Sequence, residues 1–367
     1  MISSSIKRLI LAFALIISTV SGAFAQEHPT APQDAEDVEH ETFDVGQMIT
    51  HHISDDRGWE FAHGVWLHLP IILYSNDRGL EVFSSSHVSD GAIYNGYKSE
   101  HGHMHRVDAA GKPDHEAKVY DFSITKNVAS LMVSAFILIT IFMTVAKGYT
   151  TNRGKAPKGL QAFLEPIVMF VRDDIAKPNL GPKYAKYLPY LLTLFFFILV
   201  NNLLGLLPGG ANLTGNIAVT LVLAILTFLI TNFSGNKQYW LHLVKPTGVP
   251  WPLLIIMIPV EIVGLFMKPI SLMVRLFANI TAGHIIILSL LALIFIARNL
   301  GGVGMGWGIS LIVVPFTLFM SLIELLVAFL QAFIFTLLTS MYIGSAIEDN
   351  HEADHGIGYE GPGVEIG

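Results

Sequence analysis

The chain has 367 residues, of which 52% are hydrophobic and only 14% charged, and its mean hydropathy is +0.54. This composition excludes an ordinary soluble domain and indicates a membrane protein. The formal net charge of −7 gathers unevenly placed groups, and the absence of cysteine excludes disulfides, thiolate metal sites and a cysteine nucleophile.

Residues 1–25 read as a secretion signal. Lys7 and Arg8 precede a short apolar core from Leu9 to Val20, and Ala23-Phe-Ala25 forms a small-x-small cleavage site. The competing reading is an uncleaved first helix, but the core is shorter than the roughly 20 residues a span needs. A signal places residues 26–122 outside the cytoplasm of a bacterium, in the periplasm. Eleven of the 15 histidines fall there, including His51-His52 and His101-Gly-His-Met-His105. Imidazoles suit Zn²⁺ or Cu²⁺, yet no carboxylate or cysteine stands at a recognisable ligand spacing. The segment therefore reads as a solvated, loosely structured loop rather than a metal site. The run from Trp66 to Tyr74, the turn at Asn76-Asp77 and Gly79, and Leu80 to Phe83 predict a hairpin, and so offer a small β-containing domain as the alternative.

A spanning helix is predicted from about Val128 to Ala146, with Ser123 or Thr125 as its cap. The connection from Lys147 to Lys186 is rich in lysine and arginine, which makes it cytoplasmic. Within it, Gly159 to Ile175 has the periodicity of an amphipathic interfacial helix, with Leu160, Phe163, Leu164, Ile167 and Phe170 along one side. A partner-binding helix is the competing reading. Tyr187 to Leu207 spans outward, Pro208-Gly-Gly210 turns, and Ile217 to Asn232 spans back. Asn201 and Asn202 sit near the outer end of the outward span. Lys237 and Lys245 mark the inner side, with Trp240 and Trp251 as interfacial anchors.

Two longer segments follow. Leu253 to Ala297 is about 67 Å of helix and Ile309 to Met341 about 50 Å at 1.5 Å per residue. A hydrocarbon core is only about 30 Å thick. The two must tilt, break or lie partly along the membrane, and the glycine-rich stretch Gly301 to Gly308 joins them as a hairpin. The acidic tail, residues 348–367, ends in the cytoplasm and is of disordered composition. The fold class is thus an all-α polytopic membrane protein. It has about five membrane helices, an amphipathic helix and an N-terminal segment with some β structure. Its parts are residues 1–25, 26–122, 123–347 and 348–367.

The polar residues of the hairpin carry the chemistry. Glu261, Lys268 and Arg275 recur at heptad spacing, which places them within about 40° on one face. Ser271 and Asn279 border that face. A cation at bilayer depth costs about 2.5–3.5 kcal/mol on insertion scales, so a retained Arg275 points to function. His284 lies about 180° round the helix and about 13 Å further outward than Arg275. On the second helix Glu324 and Gln331 share a face. If Gln331 is level with Arg275, Glu324 is roughly level with His284. A carboxylate beside an imidazole passes protons near neutral pH, whereas an arginine stays charged and blocks leakage. Each residue also has a plainer role available. Glu261 and Lys268 can snorkel, Gln331 can join helices, His284 can pack, and Arg275 can form an ion pair with Glu261 or Glu324.

The run from Lys268 to His284, Lys-Pro-Ile-Ser-Leu-Met-Val-Arg-Leu-Phe-Ala-Asn-Ile-Thr-Ala-Gly-His, is followed by Leu330-Gln-Ala-Phe-Ile-Phe-Thr-Leu-Leu338. Together they resemble subunit a of the rotary ATP synthase membrane sector. Asn202-Leu-Leu-Gly-Leu-Leu-Pro208 is a weaker third match, and the resemblance spans roughly residues 123–347. It implies a stator in the bacterial inner membrane, beside a ring of c subunits and a peripheral stalk of b subunits, within the whole complex and in contact with lipid. Protons enter by one half-channel, neutralise a ring carboxylate, travel round, and leave by another. Arg275 then matches the essential arginine between the half-channels, with Asn279 and Gln331 as its polar neighbours. His284, Glu324, Asn201 and Asn202 belong to the outer half-channel, and Ser271 and Glu261 to the cytoplasmic one.

Two departures stand out. Many bacterial members carry Glu at the position of His284 and His at that of Glu324. The exchange seen here occurs in mitochondrial relatives and keeps one acid and one imidazole at the same level. Gly205 stands where some members have Asp. No cofactor, resident metal or nucleic-acid partner is implied, and the chain alone is not catalytic. The alternatives are a secondary transporter using Arg275 to bind an anionic solute, and a metal-binding envelope protein with a membrane anchor. Paired broken helices in repeated halves would favour the transporter, but the Arg275 stretch has no second copy in the sequence.

Overall fold

The computed structural model describes residues 55–348, apart from 63–64, 89–91, 101–102, 108–118, 152–153, 155, 208 and 245–250. The signal segment, His51-His52 and the tail beyond Glu348 lie outside the described residues.

The extramembrane part is folded. Strands β1 (Gly58–Ala62) and β2 (Val65–His68) pair antiparallel. Strand β3 (Pro70–Ser75) lies between β4 (Gly79–Ser84) and β7 (Val119–Asp121), antiparallel to both. Strands β5 (Tyr97–Glu100) and β6 (His103–Arg106) form a third pair. The predicted hairpin is present as β3–β4, with Gly79 at φ 75° in its turn. The run Trp66 to Tyr74 is not one strand. Pro70 has no N–H to continue a ladder, and the run divides there between two sheets. The loosely structured loop is also corrected for the described residues. Ile71, Leu73, Phe83, Val88, Tyr97 and Met104 make a small buried core. Burial of Ile71 and Leu73 contributes roughly 1.5–3 kcal/mol each. The Tyr97 hydroxyl donates to Glu81 at 2.6 Å. Burial, and then that carboxylate, push the phenol pKa up.

Helix α1 (Lys126–Thr151) starts where β7 ends. Thr125 rather than Ser123 caps it, its hydroxyl accepting from Val128 N–H at 3.4 Å. The Asp56 carbonyl takes the Lys126 N–H at 2.8 Å and the Asp55 carboxylate the Asn127 N–H at 3.0 Å. These are first-turn donors with no partner inside the helix.

Helix α2 (Leu160–Phe170) is the predicted amphipathic helix, but it does not end freely. A π turn at Val171–Ala176, a short helix α3 (Lys177–Leu180) and a 3₁₀ turn carry it into α4 (Tyr184–Gly205). Of its apolar stripe, Leu164 and Ile167 face the core, whereas Leu160 and Phe163 are exposed. Helix α5 (Ile217–Ser234) begins at an Asn216 cap, and α6 (Lys237–Val244) follows. Helix α7 (Trp251–Ile347) is two arms joined at a kink, residues 251–300 and 303–347. Only Gly301 (φ −126°) and Gly302 (φ 73°) leave helical geometry, so the rest of the glycine stretch is helical. Four helical stretches are long and apolar enough to cross a membrane. The broken one contributes two arms, which gives the five expected crossings.

The core of the membrane part lies among α4, the π turn and the two arms. Leu191, Phe195 and Ile198 meet Leu272, Leu276, Phe335 and Ile343, all buried. Lipid tails are as apolar as these side chains, so close packing rather than the hydrophobic effect holds the helices together. The edge-on pairs Phe195–Phe329 at 6.0 Å and Phe142–Phe196 at 4.9 Å are part of that packing.

Candidate proton path

The hairpin positions the site because its arms run antiparallel over most of their length. Two contacts fix their register. His284 meets Glu324, and the Lys268 ammonium sits 5.4 Å from the Tyr342 ring centre. Arg275 and Gln331 both fall between those levels.

His284 Nδ1 and Glu324 Oε1 are 2.5 Å apart, a short charge-assisted hydrogen bond. Glu324 is only 5% exposed. Gly283 makes the approach possible, because a Cβ there would stand 2.8 Å from Glu324 Oε1. Next along the second arm, the Ala328 carbonyl accepts from Asn202 Nδ2 at 3.0 Å, and Asn202 Oδ1 accepts from Thr214 at 2.7 Å. Asn202 is thereby fixed to both the hairpin and the α4–α5 connection. Asn201 turns to its own helix, donating to the Phe197 carbonyl at 2.8 Å. Its buried Oδ1 has no partner among the described residues, which is where a bridging water is needed. Gly205 is buried against Asn212.

Gln331 is buried. Arg275 is half-buried, and Ser271 and Asn279 beside it are exposed. Among the described residues no carboxylate pairs with Arg275. Glu324 is committed to His284, so the ion pair between Arg275 and Glu324 is not formed. Arg275 lies within electrostatic reach of the Tyr342 phenol. A stripe of Ser, Arg and Asn open at bilayer depth is costly against lipid.

Glu261 stands apart from these residues. It lines a cavity of about 380 Å³ with Tyr239, His242, Lys268 and Glu348. A second, separate space of about 10 Å³ also has Lys268 in its lining and is walled by Thr227, Thr231, Leu272 and Tyr342. This is room for about one water. It stops one helical turn short of Arg275. Tyr190 and Thr227 share a hydrogen bond of 2.9 Å beside it. Thr214, Gly283, Tyr239 and His242 were not singled out from the sequence. Their signal was available in part: Gly283 adjoins His284, and α6 carries its histidine among apolar residues. Among the described residues no three metal-ligating side chains converge.

Residues 128–344 match the ATP synthase A chain family, and residues 48–122 match a domain of unknown function. Subunit a of ATP synthase from Chlorobium phaeobacteroides is 49% identical over 65% of this chain and 69% of its own length. A subunit a from Chlorobaculum tepidum is 44% identical over 72% of this chain and 73% of its own. One from an Anaeromyxobacter strain is 40% identical over 85% and 73%.

Proposed function

Since the chain belongs to the ATP synthase A chain family, the stator subunit of the membrane sector involved in proton translocation, we propose that Arg275 is the barrier between two proton half-channels built on the α7 hairpin. The observation that carries this is Arg275, without a carboxylate partner among the described residues, on an exposed polar stripe, with polar groups leading away from it in both directions. The outer half-channel runs past Asn201, Asn202 and the His284–Glu324 pair. The inner one runs from the narrow space at Lys268 into the cavity at Glu261. Ser271 and Asn279 border Arg275 on the stripe, and Gln331 lies behind it.

The steps follow from these positions. A proton reaches the His284–Glu324 pair, where either group can hold it. It passes to a carboxylate on the neighbouring c-subunit ring, which can then turn into lipid uncharged. After a circuit the carboxylate meets the inner side, and its proton leaves by way of Glu261. Arg275 keeps its charge at any cellular pH. It repels a proton crossing directly and attracts the ring carboxylate once that is ionised. The exposed polar stripe is the surface that the ring covers. The b-subunit stalk is a further partner, carried over from the family. In this arrangement residues 1–25 direct secretion, 26–122 are periplasmic, 123–347 span the bacterial inner membrane, and 348–367 are cytoplasmic.

The test uses inverted membrane vesicles carrying the whole complex with Arg275→Ala. ATP-driven acidification is measured first, then proton leak after the catalytic sector is stripped. Pumping should be abolished with assembly intact. Near-normal pumping would overturn the assignment and return attention to solute uptake.

A further inference from the structure

The three-stranded sheet of the extramembrane domain has two unlike faces. One is the domain core, with Ile71, Leu73 and Phe83. The other carries Ile72, Tyr74, Leu80, Val82, Tyr120 and Phe122, and no charged side chain. Leu80 and Phe122 are each 65% exposed and Val82 60%. Tyr74 and Tyr120 pair at 6.4 Å between ring centres. Water-exposed, such a face is an aggregation hazard, so something covers it.

Its position says what. Phe122 N–H donates to the Ile72 carbonyl at 2.8 Å and Ile124 N–H to the Pro70 carbonyl at 3.2 Å, so the sheet continues almost to Lys126, the first residue of α1. Phe122 is therefore within about 14 Å of the start of a membrane span, even with the chain fully extended. On α1 itself Val128, Met132 and Phe136 are exposed apolar residues as well. Two contacts hold the domain to the membrane part: Trp59 Nε1 donates to the Gly209 carbonyl at 2.7 Å, and the Asp55 carboxylate accepts from the Asn127 N–H of α1 at 3.0 Å. Tyrosine and phenylalanine on an uncharged face at this depth are the residues that settle among lipid headgroups.

We propose that this sheet face rests on the outer leaflet of the bilayer, so that the domain of residues 48–122 is a membrane-seated collar at the outer end of α1. The chain has no native cysteine, so Leu80→Cys and Val82→Cys each offer one site in it for an environment-sensitive fluorophore, and both positions are exposed enough to leave the fold intact. The control is Asp77→Cys in the β3–β4 turn. The whole complex is reconstituted in phosphatidylcholine–phosphatidylglycerol vesicles, and the signal from the labelled unsubstituted complex is subtracted. Nitroxide-bearing phosphatidylcholine should quench positions 80 and 82 several-fold more than position 77, and aqueous iodide the reverse. Iodide quenching of 80 and 82 equal to that of 77 would overturn the proposal, because the face would then be open to water. Protection from both quenchers would also overturn it, by showing that protein covers the face. Neither result bears on Arg275.

Discussion

Gly283→Ala tests the outer half-channel with the smallest possible change. The new Cβ would lie 2.8 Å from Glu324 Oε1 and 3.1 Å from its Cδ, where ordinary contact starts at 3.4 Å. The carboxylate must retreat by about 0.6 Å, which stretches its 2.5 Å bond to His284 towards about 3.1 Å. A hydrogen bond to a carboxylate contributes about 1.5–3 kcal/mol net, so losing roughly half of it costs about 1 kcal/mol. If this pair relays protons, that is about a fivefold slower step. Helix propensity moves the other way, since alanine favours a helix over glycine by about 1 kcal/mol. Assembly should therefore be unharmed. The assay is ATP-driven acidification of inverted vesicles, normalised to the amount of assembled complex. An unchanged rate would refute the reasoning. So would an equal fall in a Glu324→Gln background, because the glycine would then act independently of the carboxylate.

Three further outcomes are expected. Exchanging the pair, with His284→Glu and Glu324→His together, should keep measurable pumping while each single change loses most of it; equal loss in all three would show that position matters beyond one acid and one imidazole. Burial alone would raise the Asp121 pKa, but its Ser123 hydrogen bonds and the Arg57 guanidinium outweigh burial and hold it below the usual carboxylate value. A lowered folded-state pKa gives stability that is complete above about pH 4 and lost as pH falls through the folded value; hydrogen exchange of β7 should accelerate in that acid range, and Asp121→Asn should flatten the response. Trp59→Phe removes the 2.7 Å bond to Gly209, at about 1 kcal/mol; exchange at residues 209–215 should rise about fivefold, and unchanged protection would show that the indole bond holds nothing.

The membrane part was legible because its signals are local and strong. Long apolar runs define the spans, and a helix 45 residues long cannot stand upright in about 30 Å of hydrocarbon. The pairing of His284 with Glu324 was readable from rise per residue and antiparallel direction once Gln331 was set level with Arg275. Other features depended on chain-distant partners. The bond from Asn202 to Ala328 joins residues far apart in sequence, and no periodicity announces it. The cavity at Glu261 takes Gln238, Tyr239, His242 and Leu243 of its lining from α6, whose eight residues resemble any short connector. The amphipathic stripe of α2 was visible, but not that a π turn would carry the helix onward, because that depends on what donates to the freed carbonyls, here Ser340 and Asn179 to the Ile175 carbonyl. The extramembrane domain was underestimated for a related reason. Its core draws single residues from several short strands, and abundant histidine masks so sparse a pattern.

The two ends of the second arm are held very differently. At one end the Ile347 carbonyl accepts from both Lys183 Nζ and Asn236 Nδ2, each at 2.9 Å, and Ser340 donates to the Ile175 carbonyl at the π turn. A side chain at Gly344 would collide with the Asn179 backbone, so the arm and α3 touch directly. At the other end Gly301 and Gly302, the latter at φ 73°, join the arms, and Ala297 and Val313 on either side are buried. Mechanically this is a beam clamped at its root and jointed at its glycine tip. Glu324 lies near the middle of that beam, braced by His284 and, four residues on, by the Asn202–Ala328 bond.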